Sequence, residues 1–403
     1  MPPSDAGGRV LRDGALRAWL YDPTLEEYLC AVVTELSRLP TRASLDASQF
    51  WRLEGRRVER ILGTIQAGGP EEGELAAQRL RLVHWNILKG VAFDEILRRL
   101  QEHPDLRQPD LLLLNEVDVG MARSANLHVA DALGTRLGLH WAFVPSYLEL
   151  TKGPGPEALA PGSNRFGLHG VAILSRTRPL ALRACPLPET FDVFGFPEKR
   201  YGRRTALFAA LGEGLVVVST HLEVRGSPRG RGEQIAALLQ GLEAFAGEEA
   251  LQGRGVRRVV LGGDLNTHTF DRRGWWRALQ AFGRIALNSR VRLRRQLMEP
   301  WRRNREPLFA ELRRAGFLWD GLNDLRPTAS ESLDRVEEID RLPAGLRDAA
   351  RSLLRRRVPL RLDWFAARGL PPDPAAVRGA TVGEWPPGTV PSDHLPIVLE
   401  IPR

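Results

Sequence analysis

Cysteine is nearly absent from this 403-residue chain. Its two cysteines, Cys30 and Cys185, lie far apart and match no metal or redox spacing. A disulfide framework and a thiolate metal site are therefore not expected, and both thiols read as small buried side chains in a reduced setting. Lysine is scarce as well: only three of the 57 basic residues are Lys. With abundant Ala, Leu, Gly and Pro, that skew toward Arg is what a GC-rich coding sequence produces whatever the function. The net charge of +8 and pI near 10.2 are thus weak evidence for a polyanionic partner. No window approaches the ~18 consecutive apolar residues of a membrane span. The N-terminal "MPPSDAGGRVLRDG" has no apolar core of a secretory signal, so a cytoplasmic chain is expected. No repeat of fixed period is visible.

What is present is an ordinary globular composition, 43% hydrophobic and 26% charged, in a chain long enough for one large domain or two smaller ones. Residues 15–65 read as helical, with Leu25, Tyr28, Leu29, Val32, Val33, Leu36 and Leu39 at helical spacing. After the polar break "AGGPEEGE", short apolar strands alternate with helices. Strands are expected at 80–88, 109–118, 140–147, 169–176, 206–223 (a hairpin turning at 212–214), 257–266, 360–368 and 395–401. Helices are expected at about 94–103, 129–139, 231–246 and 306–315. Neighbouring hairpin strands among βα units point to mixed sheets flanked by helices. One stretch breaks the rhythm: residues 272–314 carry 13 Arg against three carboxylates, with Trp275, Trp276 and Trp301 among them and Trp319 just beyond. It reads either as an amphipathic insertion that packs its Trp residues on the core, or as a surface for nucleic acid or anionic lipid.

Several apolar strands end in residues that are costly to bury unpaired. They are His84 and Asn86 in "VHWNIL", Glu116 in "LLLLNEVD", His221 in "VVVSTHLE", Asp264 and Asn266 in "VVLGGDLN", Asp363 in "RLDWF", and Asp393–His394 in "PSDHLPIVLEI". Each alone is an ordinary turn former, cap or structural histidine. Together, at the ends of strands that lie side by side, they would converge on one cleft. Carboxylates with an Asn carbonyl supply the hard oxygen donors that Mg²⁺ or Mn²⁺ prefers, and a dedicated zinc site is not expected. The chemistry suggested is metal-assisted attack on a phosphate ester, with a carboxylate activating water and His and Asn donating to phosphoryl oxygens.

Taken in order, "HWNIL", "LLLLNEVD", "GLHGVAILSR", "VVSTHLE", "VVLGGDLN", "RLDWFAARG" and "SDHLPIVLEI" resemble the endonuclease/exonuclease/phosphatase superfamily. That group spans deoxyribonucleases, abasic-site endonucleases, deadenylases, neutral sphingomyelinases and inositol polyphosphate 5-phosphatases. The resemblance implies a four-layer α/β sandwich, two mixed β-sheets flanked by helices, over residues 80–403. A helical extension would occupy residues 1–75 and the Arg/Trp-rich insertion about 270–355.

The resemblance also implies roles. Glu116 would be the principal Mg²⁺ (or Mn²⁺) ligand, with Asn86 supporting it and Asp393 beside the metal. Asp264 would orient or deprotonate water, and Asn266 and His221 would contact the phosphoryl group. Asp363 would orient His394 and favour its protonated form. Leu88 stands where some relatives carry a metal-binding Asp. His169 either reaches substrate or serves structure, and Arg123 and Glu149 are expected in polar loops lining the cleft. The expected function is hydrolysis of a phosphodiester, with nucleic acid favoured over phospholipid or small phosphoesters. Peripheral membrane contact stays open. A catalytically dead binding protein of the same fold is the remote alternative.

Overall fold

The computed structural model describes the chain apart from residues 1–9, 13–21, 71–78, 197, 272–275, 278, 279, 281, 282, 284–287, 333–344, 346, 349–356, 372–376 and 384–390. Trp275 and much of the expected insertion therefore lie outside the described residues.

One mixed sheet contains β2 (Gln66–Gly68), β3 (Arg79–Lys89), β4 (Leu111–Val119), β5 (His140–Glu149), β6 (Leu168–Ser175), β15 (Arg378–Thr381) and β16 (Ile397–Pro402), in the order β15-β16-β3-β4-β6-β5-β2, with β8 (Arg200–Gly202) pairing β5. The other runs β1-β7-β9-β10-β11-β14, from β1 (Val10–Arg12), β7 (Ala181–Pro186), β9 (Thr205–Ala210), β10 (Leu215–His221), β11 (Arg258–Asp264) and β14 (Asp363–Arg368). A separate pair joins β12 (Ala329–Ser332) to β13 (Arg357–Leu360).

The two sheets stack through a shared apolar layer in which Leu82, Leu113, Val171 and Ile173 of the first meet Leu207, Val217, Val260 and Phe365 of the second. Strands buried on both faces read as continuous apolar runs rather than alternating ones, as "LLLL" and "VVV" do. Gly262 permits the close approach: a Cβ there would fall 2.6 Å from Leu113 Cδ1.

Helices close both outer faces. Over the first sheet lie α1 (Pro23–Arg38), α2 (Arg42–Ala47), α3 (Gln49–Leu62), α4 (Phe93–Glu102) and α5 (Val129–Leu137). The N-terminal helices bury Leu29, Val32, Leu36, Val58 and Ile61 in the same cluster as Trp85, Leu112, Leu114 and Phe143. Asp22 caps α1 and Ser48 caps α3 by accepting first-turn N–H groups, which explains where each begins. Over the second sheet lie α6 (Pro228–Leu251) and α8 (Leu308–Arg314), with α7 (Arg290–Met298) nearby. Trp319 and the half-buried Trp301 pack there against Phe309 and Trp364, while Trp276 is exposed. No helix among the described residues is long and apolar enough to cross a membrane.

One strand differs from expectation. The run 360–368 divides, because the Arg361 guanidinium is buried at the break and donates to Asp324 Oδ1 at 3.0 Å and the Arg326 carbonyl at 2.7 Å. Residues before it pair with β12; residues after it join the main sheet.

Candidate active site

Strand register assembles the site. In the parallel pair β10–β11, His221 stands opposite Asp264; in the antiparallel pair β11–β14, Asp264 stands opposite Asp363. Three adjacent strands thus end in polar groups side by side. From the facing sheet, β3 and β4 break register at Asn86–Lys89 and at Asn115–Val117. Such irregularities re-aim side chains near functional sites. Glu116 adopts φ 53 and Asn266 φ 50, a left-handed backbone uncommon for Glu. Strain of this kind concentrates where function needs it.

A cavity of about 310 Å³ opens here, lined among others by Glu116, His169, His221, Asp264, Asn266, Asp393 and His394. Asn86 bridges two of the acids from behind: its Nδ2 donates to Glu116 Oε1 and to Asp264 Oδ2, each at 3.2 Å. Asp264 Oδ2 also lies 3.4 Å from His221 Nε2 and 3.7 Å from His394 Nε2, while Oδ1 accepts the Asn266 N–H at 3.0 Å. The Asn266 amide donates to the Leu222 carbonyl at 2.9 Å. Behind His394, Asp363 Oδ2 accepts from its Nδ1 at 2.8 Å, and Oδ1 takes His84 Nε2 at 2.9 Å.

Charge states follow from these contacts. Burial alone would lower the His394 pKa, but the carboxylates of Asp363 and Asp264 outweigh it and hold the imidazole protonated well above its usual range. Burial, then the charge of Arg204, keeps His221 neutral, far below its ordinary value. Burial pushes the Asp264 carboxyl up, with His394 opposing and Asp363 assisting. Asp393 is exposed at the cavity mouth yet enclosed by protein on its inner side; that burial, relieved by His394, and then the Glu116 charge raise its pKa.

The donor set fits a hard divalent cation. Glu116 and Asp393 repel each other at the cavity and Asp264 is adjacent, and carboxylate oxygens of this kind suit Mg²⁺ or Mn²⁺. Asn86 steadies Glu116 and Asp264 through Nδ2, while its Oδ1 accepts the Leu88 N–H at 3.2 Å. Atoms of Asp264, Asp363 and His394 lie closest together, within 4.8 Å. Asp363 spends both oxygens on histidines, however, so that trio is a hydrogen-bonded relay and the open donors lie on the Glu116 side.

Of the three residues expected to meet substrate, only His169 reaches the cavity. Its Nδ1 is 2.8 Å from Asp118 Oδ1, which fixes the ring. Arg123 and Glu149 lie behind the wall. The Arg123 side chain is spent on Asp118 at 2.8 Å, Glu157 at 3.0 Å, and Glu149 and Glu198 at 3.5 Å each. Burial opposes the charge of Asp118, but Arg123 holds its carboxyl down at about 2.

Lys89, Tyr147, Arg200, Arg204 and Glu223 also line the cavity, and sequence reasoning passed over them. Two signals existed: Lys89 is one of three lysines and stands beside "HWNIL", and the Arg203–Arg204 pair directly precedes an apolar strand.

The family whose description is "Endonuclease/Exonuclease/phosphatase family" matches residues 83–394. No curated protein matches the chain. Solved structures with similarity include the 3' phosphatase NExo from Neisseria bound to product DNA hairpin (19% identity, 80% of this chain and 100% of that one, TM-score 0.43). Others are the human Nocturnin catalytic domain with bound sulfate anion (16%, 84% and 98%, TM-score 0.41) and an AP endonuclease from Archaeoglobus fulgidus (19%, 79% and 98%, TM-score 0.40).

Proposed function

The chain belongs to the endonuclease/exonuclease/phosphatase family, a family of divalent-metal-dependent hydrolases of phosphate esters, and from that premise we propose that it is a Mg²⁺- or Mn²⁺-dependent phosphodiesterase that cuts nucleic acid. The observation that carries the reading is the Asp264 carboxylate at the cavity wall, flanked by His221 and by a His394 that Asp363 backs.

Glu116 and Asp393, supported by Asn86, would hold the cation. When bound, it supplies charge neutralisation at the phosphoryl and leaving oxygens. Asp264 orients the attacking water and takes its proton; its raised pKa makes it a better base than a solvated carboxylate. His394, protonated, donates from Nε2 to a phosphoryl oxygen as negative charge builds there. His221 and Asn266 complete the donor set around that group.

Support for a nucleic-acid substrate comes from a groove of about 650 Å³ lined by Arg292, Arg295, Arg302, Arg303 and Arg305. Arg303 and Asn304 have φ 58 and 50, and the turn they form leaves Arg305, partly buried, beside the like charge of Arg303. Phosphates of a strand would neutralise such a row. Helix α7, which carries Arg292 and Arg295 of the groove, packs against the cavity wall. Leu293, Leu297 and Met298 of that helix pack on a cluster with Ala329, Leu360 and Leu362, and those three residues line the cavity. Gln296 Nε2 also donates to Thr269 Oγ1 at 2.7 Å, close to Asn266 in the chain.

The test is a panel of single- and double-stranded DNA, RNA, phosphomonoesters and sphingomyelin, each with and without chelator. The expected outcome is chelator-sensitive cleavage of an oligonucleotide. Hydrolysis of sphingomyelin or a monoester with every oligonucleotide left intact would contradict it.

A further inference from the structure

Arg204 is 7% exposed and lines the cavity. Its guanidinium makes no hydrogen bond among the described residues. Nε is buried without a partner, and the nearest carboxylate oxygen, Glu223 Oε2, is 3.6 Å away. That carboxylate is already engaged: Oε2 accepts from Tyr147 OH at 3.4 Å and Oε1 from the Arg225 N–H at 3.0 Å. The Arg204 guanidinium lies 5.5 Å from the centre of the Tyr147 ring, and that of Arg200 lies 5.0 Å from the same ring. Arg200 is paired with Glu198 and lies 3.6 Å from Glu149. Arg204 has one ion pair among the described residues, with Glu223 at 3.6 Å, and it lacks hydrogen-bond geometry.

A guanidinium withdrawn from bulk water with its Nε buried and without a hydrogen bond is costly to keep. Water in the cavity can meet part of that need in the free protein. A phosphate meets it better, because two of its oxygens match the planar fork and carry opposite charge. The position suits the reaction as well: the Arg204 charge is felt at both Glu116 and His221.

We propose that Arg204 is a phosphate-binding residue of this cavity, taking two oxygens of a substrate phosphate, with Arg200 and Tyr147 fixing its orientation. The inference deepens the phosphodiesterase reading and rests on it for the identity of the substrate. Two sources share the chemistry: the scissile phosphoryl group, or the phosphate next to it along a strand.

The test titrates inorganic phosphate calorimetrically into the Mg²⁺-loaded full chain, comparing wild type with Arg204→Gln, Arg204→Lys and the double variant Arg204→Gln/Glu223→Gln. The double variant removes both charges, so Glu223 is not left unpaired, and thermal melting reports whether each protein is folded. Phosphate affinity is expected to fall roughly tenfold in both Gln-bearing proteins, about 1.4 kcal/mol, and to recover in part with Lys. A folded double variant with wild-type phosphate affinity overturns the proposal. Kinetics separate the two sources. A loss on bis-p-nitrophenyl phosphate and on a trinucleotide alike assigns Arg204 to the scissile group; a raised KM on the trinucleotide alone assigns it to the neighbouring phosphate. Unchanged kinetics on both substrates also overturns it. If wild type cleaves neither, the phosphodiesterase reading fails, and the phosphate titration still decides the role of Arg204.

Discussion

His394 Nδ1 lies 2.8 Å from Asp363 Oδ2, and the other oxygen of that carboxylate is held by His84 at 2.9 Å. A carboxylate with both oxygens engaged by imidazoles cannot rotate freely, so it fixes the orientation of the His394 imidazolium, with Nε2 facing Asp264. Asp363→Asn removes the charge that keeps His394 protonated while preserving shape. Turnover is expected to fall by roughly 10²- to 10⁴-fold, the range for losing a positioned acid or base, with KM little changed. Steady-state kinetics on bis-p-nitrophenyl phosphate check this; a drop confined to KM would count against the relay.

Glu116 is the carboxylate with most to lose. Glu116→Gln keeps the hydrogen bond with Asn86 within reach but removes a hard anionic donor. Mn²⁺ affinity, followed by the electron paramagnetic resonance of the free ion, is expected to weaken by at least about tenfold. Unaltered Mn²⁺ binding would place the metal elsewhere.

The nucleic-acid groove makes a salt prediction. Replacing Arg292 and Arg303 by Glu should raise KM for a single-stranded oligonucleotide far more than for bis-p-nitrophenyl phosphate. It should also flatten the dependence of oligonucleotide binding on salt by roughly two contacts' worth. Equal effects on both substrates would argue that the strand runs another way.

His128 predicts acid sensitivity of the fold itself. Its Nδ1 accepts the Asp131 N–H at 3.1 Å as the cap of α5, so Nε2 carries the hydrogen and faces Gln66 Oε1 at 2.9 Å. Charging the ring would set a proton against an N–H donor. Burial accordingly lowers the pKa from 6.5 to about 3. Below pH 6.5 the unfolded chain binds a proton that the folded one refuses, so stability falls as pH drops from about 6.5 toward 3. The slope from this residue is about 1.4 kcal/mol per pH unit. Melting at pH 7 and pH 5 should differ less in His128→Asn, which retains a capping side chain, than in wild type. An identical difference would show that His128 is not the titrating group.

Much of the site is legible in the sequence. Strand ends marked by Glu116, His221, Asp264, Asp363 and His394 can be read because apolar runs rarely tolerate such residues without purpose; register sets His221, Asp264 and Asp363 side by side, and sheet stacking adds Glu116 and His394. The division of 360–368 could not be read. It depends on Arg361 finding Asp324 and a carbonyl at 326, and no local pattern encodes that partnership. Arg123 and Glu149 look in sequence like cleft residues. Arg123 turns inward because Asp118, Glu157 and Glu198 arrive from three separate segments to pair with it, and Glu149 is held by Arg123 and Arg200. Arg204 is hidden for the opposite reason: its place before an apolar strand marks it only weakly among 54 arginines, and its unbonded Nε shows only in the fold.

The central claim is that Asp264 and His394 act together on a phosphate ester with a divalent cation, and one comparison tests it most directly. Turnover of bis-p-nitrophenyl phosphate is measured with Mg²⁺ or Mn²⁺, and again with chelator, for wild type, Asp264→Asn and His394→Ala. Wild type should turn over only with metal, and each variant should lose at least about two orders of magnitude while remaining folded. Equal rates in all three proteins, or a wild-type rate indifferent to chelator, would contradict it.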